Sequence, residues 1–289
     1  MWRKTIQLPK VFVFKDENVR AVITIMVRLS NIWRKKVHID FSLVKQVRKG
    51  DLMVLMAQLE KLSLKKKQIK FRGITKNILG LFREKVIHFK DFNNANIANI
   101  AKETSPVVVE NVVVDLKKIG INRNSDHGFT FYERIKALLT EIMGNAVEHG
   151  ISNKNINYWL TSEVDNKNKQ ITVTFVDMGR GIAYSHKKAR LPLKYRIIGL
   201  FSDNKIVLNS LLGKLPSSTQ EVNRGKGLPE IREIIKTGIV SDFILITNRT
   251  LIQYNNNQFI TNRIDNFKGT YYSWTINKKN FEKWKTLFQ

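Results

Sequence analysis

The sequence contains no cysteine. That absence removes disulfides, thiolate zinc sites and cysteine nucleophiles together. Long apolar runs are missing too: nothing approaches the roughly 18–20 uninterrupted residues that a membrane span requires, and the best candidate, Ala21 to Val27, stops at Arg28. The N-terminal flank of Trp2, Arg3 and Lys4 leads into polar residues, not into a signal-peptide core with a small-residue cleavage site. The expectation is a soluble, cytoplasmic protein without membrane attachment. Histidine is thin, at 5 scattered residues with no pair at metal-ligand spacing. Acidic residues are the last shortage: 24 Asp+Glu stand against 50 Lys+Arg, a formal net charge of +26.

What is present describes a globular chain. Over 289 residues, 43% hydrophobic and 10% aromatic side chains suffice to bury a core in one large or two ordinary domains. The positive charge is uneven. Residues 1–90 hold 22 basic and 6 acidic residues, a net of +16, and the remainder 28 and 18, a net of +10. Trp33-Arg34-Lys35-Lys36 and Lys65-Lys66-Lys67 both lie in the first part. Such a surface favours nucleic acid, an anionic membrane or an acidic protein as partner; a solvated lysine-rich face that serves solubility has the same composition.

Two segments differ in pattern. A polar stretch beginning Asp91-Phe92-Asn93-Asn94 and ending near Ser105 separates them, and Asn and Asp clusters of this kind punctuate elements. The organisation expected is a basic α/β domain over 1–92, a linker over 93–105 and a second domain over 106–289. In the first, Val37-His38-Ile39-Asp40-Phe41 alternates as a half-buried strand does. Leu52, Leu55, Met56 and Leu59 share one face of a helix over 51–64. A second strand at Gln68-Ile69-Lys70-Phe71 and a helix over 76–82 follow, which points to a parallel βαβ unit. That order resembles the STAS fold of anti-sigma factor antagonists over roughly residues 10–90. In that family a phosphorylatable serine opens the helix after the first buried strand. Here Val44-Lys45-Gln46-Val47-Arg48-Lys49-Gly50-Asp51 offers no hydroxyl, which leaves a docking role and no phosphoswitch.

The second segment opens with an apolar stretch, Pro106 to Leu116. A long amphipathic helix over about 129–149 comes next, with strands near 170–176, 242–247, 251–254 and 270–276 and helices near 194–201 and 228–236. Helices and closing antiparallel strands point to a mixed α/β sandwich with helices on one face of a sheet. No internal repeat is visible.

Three motifs carry chemistry. The long helix contains Glu141-Ile142-Met143-Gly144-Asn145-Ala146-Val147-Glu148-His149-Gly150. Four residues advance a helix by about 400°, so Glu141, Asn145 and His149 lie on nearly one face. A polar stripe on an otherwise core-facing helix is costly unless it has partners. The strand ending at Val176 runs into Asp177-Met178-Gly179-Arg180-Gly181. Its glycines permit close backbone approach to a ligand, and an aspartate at a strand end can accept from an exocyclic amine. Asn223-Arg224-Gly225-Lys226-Gly227-Leu228 then opens an apolar helix, and free N–H groups at a helix start favour an anion. Each motif alone is common and is equally a turn or a helix start.

In order, Glu-x-x-x-Asn on a helix, Asp-x-Gly-x-Gly after a strand and Gly-x-Gly-Leu before a helix resemble the N, G1 and G2 boxes of the GHKL superfamily (gyrase, histidine kinases, MutL and relatives). Gly269-Thr270 resembles the last box, and the likeness covers about residues 105–278. It implies a Bergerat-type α/β sandwich that binds ATP with Mg2+. Asn145 would coordinate the metal, with His149 on the same face of the nucleotide site. Asp177 would bind the adenine amine with Thr270 assisting through water. Gly179 and Gly181 would let the purine approach the backbone. Arg224, Gly225, Lys226 and Gly227 would wrap the phosphates. Glu141 stands where the family has the residue that orients or deprotonates the nucleophile. Residues 183–224 would form a mobile lid whose Lys187, Lys188 or Arg190 could reach the γ-phosphate.

Function inside that superfamily comes from context. Neither His88 nor His127 is followed by the acidic residue and proline of a phosphoacceptor motif. The chain ends at Gln289, soon after the last strand, which speaks against the transducer domain of an ATP-driven DNA clamp. The spelling of the first box is most similar to anti-sigma factor serine kinases, which act on STAS-fold partners. The expectation is a regulatory ATPase or serine/threonine protein kinase with a STAS-like or sigma-like protein partner, plausibly as a homodimer. A second reading is an ATP-gated binding module whose basic N-terminal segment grips nucleic acid or an acidic protein; a third is a pseudoenzyme that holds ATP as a structural element.

Overall fold

Two sheets of opposite character organise the chain in the computed structural model, which describes residues 4–15, 17–34, 36–83, 87–88, 112, 114–149, 158–189, 200–215 and 227–287. The first is parallel, with β1 (Lys4–Gln7), β3 (Lys36–Asp40) and β5 (Gln68–Arg72) in the order β1-β3-β5. The crossovers are α1 (Asn18–Ser30) and α2 (Lys49–Leu64), so the expected βαβ unit is present and extended by one repeat. A short parallel pair, β2 (Val11–Phe12) with β4 (Gln46–Val47), lies at the strand-to-helix connections, and α3 (Lys76–Arg83) follows β5. The second sheet is antiparallel, in the order β6 (Ile87–His88), β7 (Tyr158–Asp165), β8 (Gln170–Asp177), β10 (Gln258–Asn277), β9 (Ser241–Asn255). The α/β class expected from the sequence is therefore observed.

Residues 87–88, within the segment read as the first domain, pair with β7 of the large sheet. Strands β9 and β10 form a long hairpin. Its two loop residues, Asn256 and Asn257, both take left-handed backbone (φ 48° and 61°), the conformation that a two-residue turn between right-twisted strands requires.

Helices cover both faces of the large sheet. On one face pack α4 (Asp126–His149), α5 (Ile182–Lys188), α6 (Asp203–Leu211), α7 (Gly227–Lys236) and α8 (Lys278–Thr286), around a core that includes Leu138, Ile142, Phe175, Ile231, Tyr272 and Trp274. The spacing of α4 explains its orientation: Phe131, Ile135, Leu138, Ile142 and Ala146 recur at three- and four-residue intervals and are buried. Its first turn is capped by Ser125, whose Oγ accepts from Gly128 N–H at 3.1 Å.

On the opposite face lie α1 and α2, which share a core with Trp159, Val176, Ile246, Phe267 and Tyr271 of the sheet. Their other side packs on Ile6, Val37 and Ile39 of the parallel sheet. The layers thus run parallel sheet, α1 and α2, antiparallel sheet, α4 to α8. Being enclosed on two sides, α2 is apolar nearly all round, and Leu52, Met53, Val54 and Leu55 are all buried. Among the described residues no helix is long and apolar enough to cross a membrane.

Candidate functional site

The face of α4 turned away from the core carries Glu141 and Asn145, one helical turn apart and both partly buried. The start of α7 is pressed against them. A Cβ added to Gly227 would lie 2.7 Å from Glu141 Oε2, 3.1 Å from Asn145 Oδ1 and 3.2 Å from Asn145 Nδ2. A side chain at 227 would have to displace Glu141 and Asn145, so the structure brings together the first and third motifs. Asn145 Nδ2 is buried and makes no hydrogen bond among the described residues. An orphaned amide of this kind costs about 1–3 kcal/mol unless a ligand or solvent completes it.

The second end of the site is built at the C-terminal end of β8, the central strand of the sheet. Asp177 closes that strand with 4% of its surface exposed. Its Oδ1 accepts from Gly179 N–H at 2.8 Å, and the hydroxyl and backbone N–H of Thr270 also donate to the carboxylate. Thr270 reaches it because β10 pairs with β8 in a register that sets Thr270 opposite Asp177. Burial raises the Asp177 carboxyl to about 6, the donors and the Lys61 charge opposing that rise. Gly269, at φ +130°, passes so close to the strand end that a Cβ would meet the Asp177 carbonyl oxygen at 2.1 Å. The second and last motifs are thus one unit.

Two residues that the motifs did not single out hold this unit in place. Thr247, fully buried on β9, accepts from Ile182 N–H at 3.0 Å and donates to the Gly269 carbonyl at 3.1 Å. Asn248 accepts from Tyr184 N–H at 3.2 Å and donates to the Arg180 carbonyl at 2.9 Å. Its amide occupies the place that a side chain on Gly181 would need: a Cβ there would be 2.5 Å from Asn248 Oδ1, and Gly181 has φ +80°. Asn248 itself has φ +49°, within a strand. Asparagine inside a β-branched run, Ile244-Leu245-Ile246-Thr247-Asn248, is the one sequence signal that could have marked it. A third residue outside the motifs, Lys61 of α2, donates Nζ to the Met178 carbonyl at 2.8 Å.

Of the other sequence candidates, Arg224, Gly225 and Lys226 lie outside the described residues, as does the side chain of His149, which ends α4. The lid segment is described only in part. Within it Lys187 pairs with Asp203 at 2.6 Å, lining a cleft of about 330 Å3 with Ser202, Asn204, Arg249 and Arg263. Lys188 stands 5.9 Å from the Tyr184 ring, and Arg190 is outside the described residues.

Asn145 and Glu141 present hard oxygen donors, the type Mg2+ prefers. Among the described residues no cluster of three His, Asp or Glu side chains could cage a metal by itself. In nucleotide sites Mg2+ is held by one or two protein oxygens together with phosphates. The orphaned Asn145 amide and the tight Gly227 backbone fit such an occupant.

No family model matches the sequence, and no curated protein matches it. Among solved structures, the histidine kinase domain of the blue-light activated histidine kinase EL346 from Erythrobacter litoralis aligns over 83% of this chain and 91% of its own, at 13% identity and a TM-score of 0.30. The longer chain of the same kinase aligns over 80% of this chain and 61% of its own, at 12% identity and a TM-score of 0.28. Likeness at this level leaves the functional reading to the site itself.

Proposed function

We propose that this chain binds Mg-ATP between α4, the start of α7 and the C-terminal end of β8, and that it acts as a regulatory ATPase or protein kinase on a protein partner. The observation that carries the reading is the packing of Gly227 on Glu141 and Asn145, with no partner for the buried Asn145 amide among the described residues. The first and third motifs, far apart in sequence, meet there, which supports the combination that the GHKL resemblance implies. Asp177 offers a buried carboxylate to an exocyclic amine, with Thr270 beside it. Arg224, Gly225, Lys226 and His149 would complete the phosphate side.

Asn145, with Glu141 nearby, would hold magnesium, which when bound neutralises phosphate oxygens and favours attack at the terminal phosphorus. Glu141 would accept the proton of the attacking water or serine hydroxyl, or fix its lone pair towards the phosphorus. Hydrolysis releases phosphate and ADP; transfer to a hydroxyl gives a phosphoester and ADP. The deciding experiment is calorimetry of Mg-ATP binding with turnover followed in parallel. Asn145→Ala should lose binding by at least the 10–100-fold that supporting groups of metal sites are worth. Equal affinity in wild type and Asn145→Ala would remove the site from this reading.

A second reading, ATP-gated binding of nucleic acid, draws on one surface feature. Trp33 is 74% exposed with Arg34 stacked 3.8 Å from its ring centroid, and Lys67 donates to its carbonyl at 2.8 Å. Exposed aromatic and cationic groups side by side suit single strands. Binding to an oligonucleotide would weaken steeply as salt rises; salt-insensitive or absent binding counts against it.

A further inference from the structure

Helix α2 lies along β8 on the face of the sheet away from α4. Near its start, a Cβ on Gly50 would stand 2.2 Å from Thr174 Oγ1. In its last turn Lys61 reaches the Met178 carbonyl. Residues 50 to 61 of a helix rise about 16 Å, and residues 174 to 178 of a strand about 13 Å. Helix and strand therefore run in the same direction, and α2 ends over the turn that carries Asp177.

Both ends of α2 are pinned by polar contacts. Arg48 grips Asp51 through Nε and Nη2 at 2.6 and 3.0 Å, and the Tyr271 hydroxyl donates to Asp51 at 3.4 Å. Lys49 N–H donates to Glu163 of β7 at 3.3 Å. Tyr271 adjoins Thr270, so the N-terminal anchor is one residue from the group that assists Asp177. A helix held this way transmits its position to the turn at its far end.

We infer that Lys61 is a positioning residue for base recognition: it fixes the Met178 carbonyl and places a cation beside Asp177, so that the N-terminal segment sets the preference for adenine over guanine. The inference rests on the ATP reading. Adenine presents an exocyclic amine, which an ionised carboxylate accepts more strongly than a neutral acid does. Guanine presents a carbonyl oxygen at the equivalent position, which an ionised carboxylate repels and a protonated one can satisfy. The groups facing Asp177 are Lys61 from α2, the Thr270 hydroxyl and amide and the Tyr272 phenol from β10, and the Gly179 amide. Lys65 and Lys268 in turn face Lys61 and, with burial, lower its own pKa. Burial favours the neutral acid at Asp177, and Lys61 supplies the opposing charge from outside the sandwich.

The test uses the full chain as wild type, Lys61→Met and Lys61→Arg. Mg-ATP and Mg-GTP affinities are measured by calorimetry from pH 5.5 to 8.5, and the Asp177 carboxyl is titrated by carbon NMR without nucleotide. Lys61→Met should move the Asp177 midpoint up by about one pH unit, the low end of what an adjacent opposite charge is worth. Its ATP-over-GTP preference at pH 7 should fall about tenfold, while Lys61→Arg retains both properties, an outcome that a packing role for the lysine stem would not give. An unchanged midpoint and an unchanged preference in Lys61→Met overturn the inference. Failure of the wild type to bind either nucleotide at any pH overturns the ATP reading instead, and the carboxyl titration still decides whether Lys61 governs Asp177.

Discussion

The proposed base end and the proposed phosphate end of the candidate site are built on different terms. At the base end most described polar groups are held by protein: Asp177 by Gly179 and Thr270, Gly269 by Thr247, and Arg180 and Tyr184 by Asn248, the buried Tyr272 hydroxyl being the exception among the described residues. At the phosphate end an amide is buried with no partner among the described residues, and a glycine is wedged against a carboxylate. A largely bonded half is more rigid before any ligand arrives, whereas a less bonded half gains its missing interactions on binding. Damage to the first should register as lost folding, and damage to the second as lost function in a protein that still folds.

The sharpest break at the base end is Gly269→Ala. A Cβ at 2.1 Å from the Asp177 carbonyl, on backbone with φ +130°, has no room. We expect roughly 3 kcal/mol or more of destabilisation, read as a lower urea midpoint. At the phosphate end, Glu141→Gln should leave the urea midpoint and Mg-ATP affinity near wild type and reduce turnover by about 10²–10⁴-fold. Equal loss of affinity and turnover would assign Glu141 to binding alone. Gly227→Ala should weaken Mg-ATP by about tenfold, because the added methyl displaces Glu141 and Asn145 by a few tenths of an ångström, with at most roughly 1–2 kcal/mol of stability lost. A large stability loss there would erase the contrast between the ends.

The smallest effect tests the liability that the base end retains. Burial holds the folded-state Asp177 carboxyl near 6, above its usual 3.8. As pH falls through 6 the folded state takes up a proton that the unfolded chain takes up only near 3.8, so this group adds stability on acidification and costs stability above about pH 6. Asp177→Asn should therefore melt a few degrees higher than wild type at pH 7.5, with the gap closing towards pH 4.5, while Mg-ATP affinity drops. A gap independent of pH would mean that the charge is not the cause.

Elements whose apolar spacing or strand alternation is recognisable were legible in the sequence, even where both sides are covered. Helix α4 was expected over 129–149 and runs from Asp126 to His149; β8, α7 and the β3-α2-β5 unit also stand where the pattern places them, although α2 is enclosed on two sides. Elements without such a mark were not. Ala21 to Val27 reads only as an apolar run, yet it is the middle of α1, buried between two sheets where no polar stripe is needed. Strands β9 and β10 were seen in fragments, since Asn248 and the polar Asn262 to Lys268 interrupt their alternation where register shifts occur. At the site the motifs supplied Glu141, Asn145, Asp177, Gly227 and Gly269, whose backbone constraints depend on local sequence. Lys61 and Thr247 act across long sequence separations through single hydrogen bonds, for which one sequence carries no periodic mark.

The placement of α1 and α2 has a consequence for how such a chain can be rearranged. Their apolar sides are shared between two sheets, so neither sheet owns the material that shields it. The half that carries the candidate site does not stand by itself: residues 106–289 expressed alone would present Trp159, Ile246, Phe267 and Tyr271 to water. Grafting a different N-terminal partner would succeed only if it brought its own pair of helices shaped to that face. Here modularity ends at a shared layer, and the two segments are committed to change together.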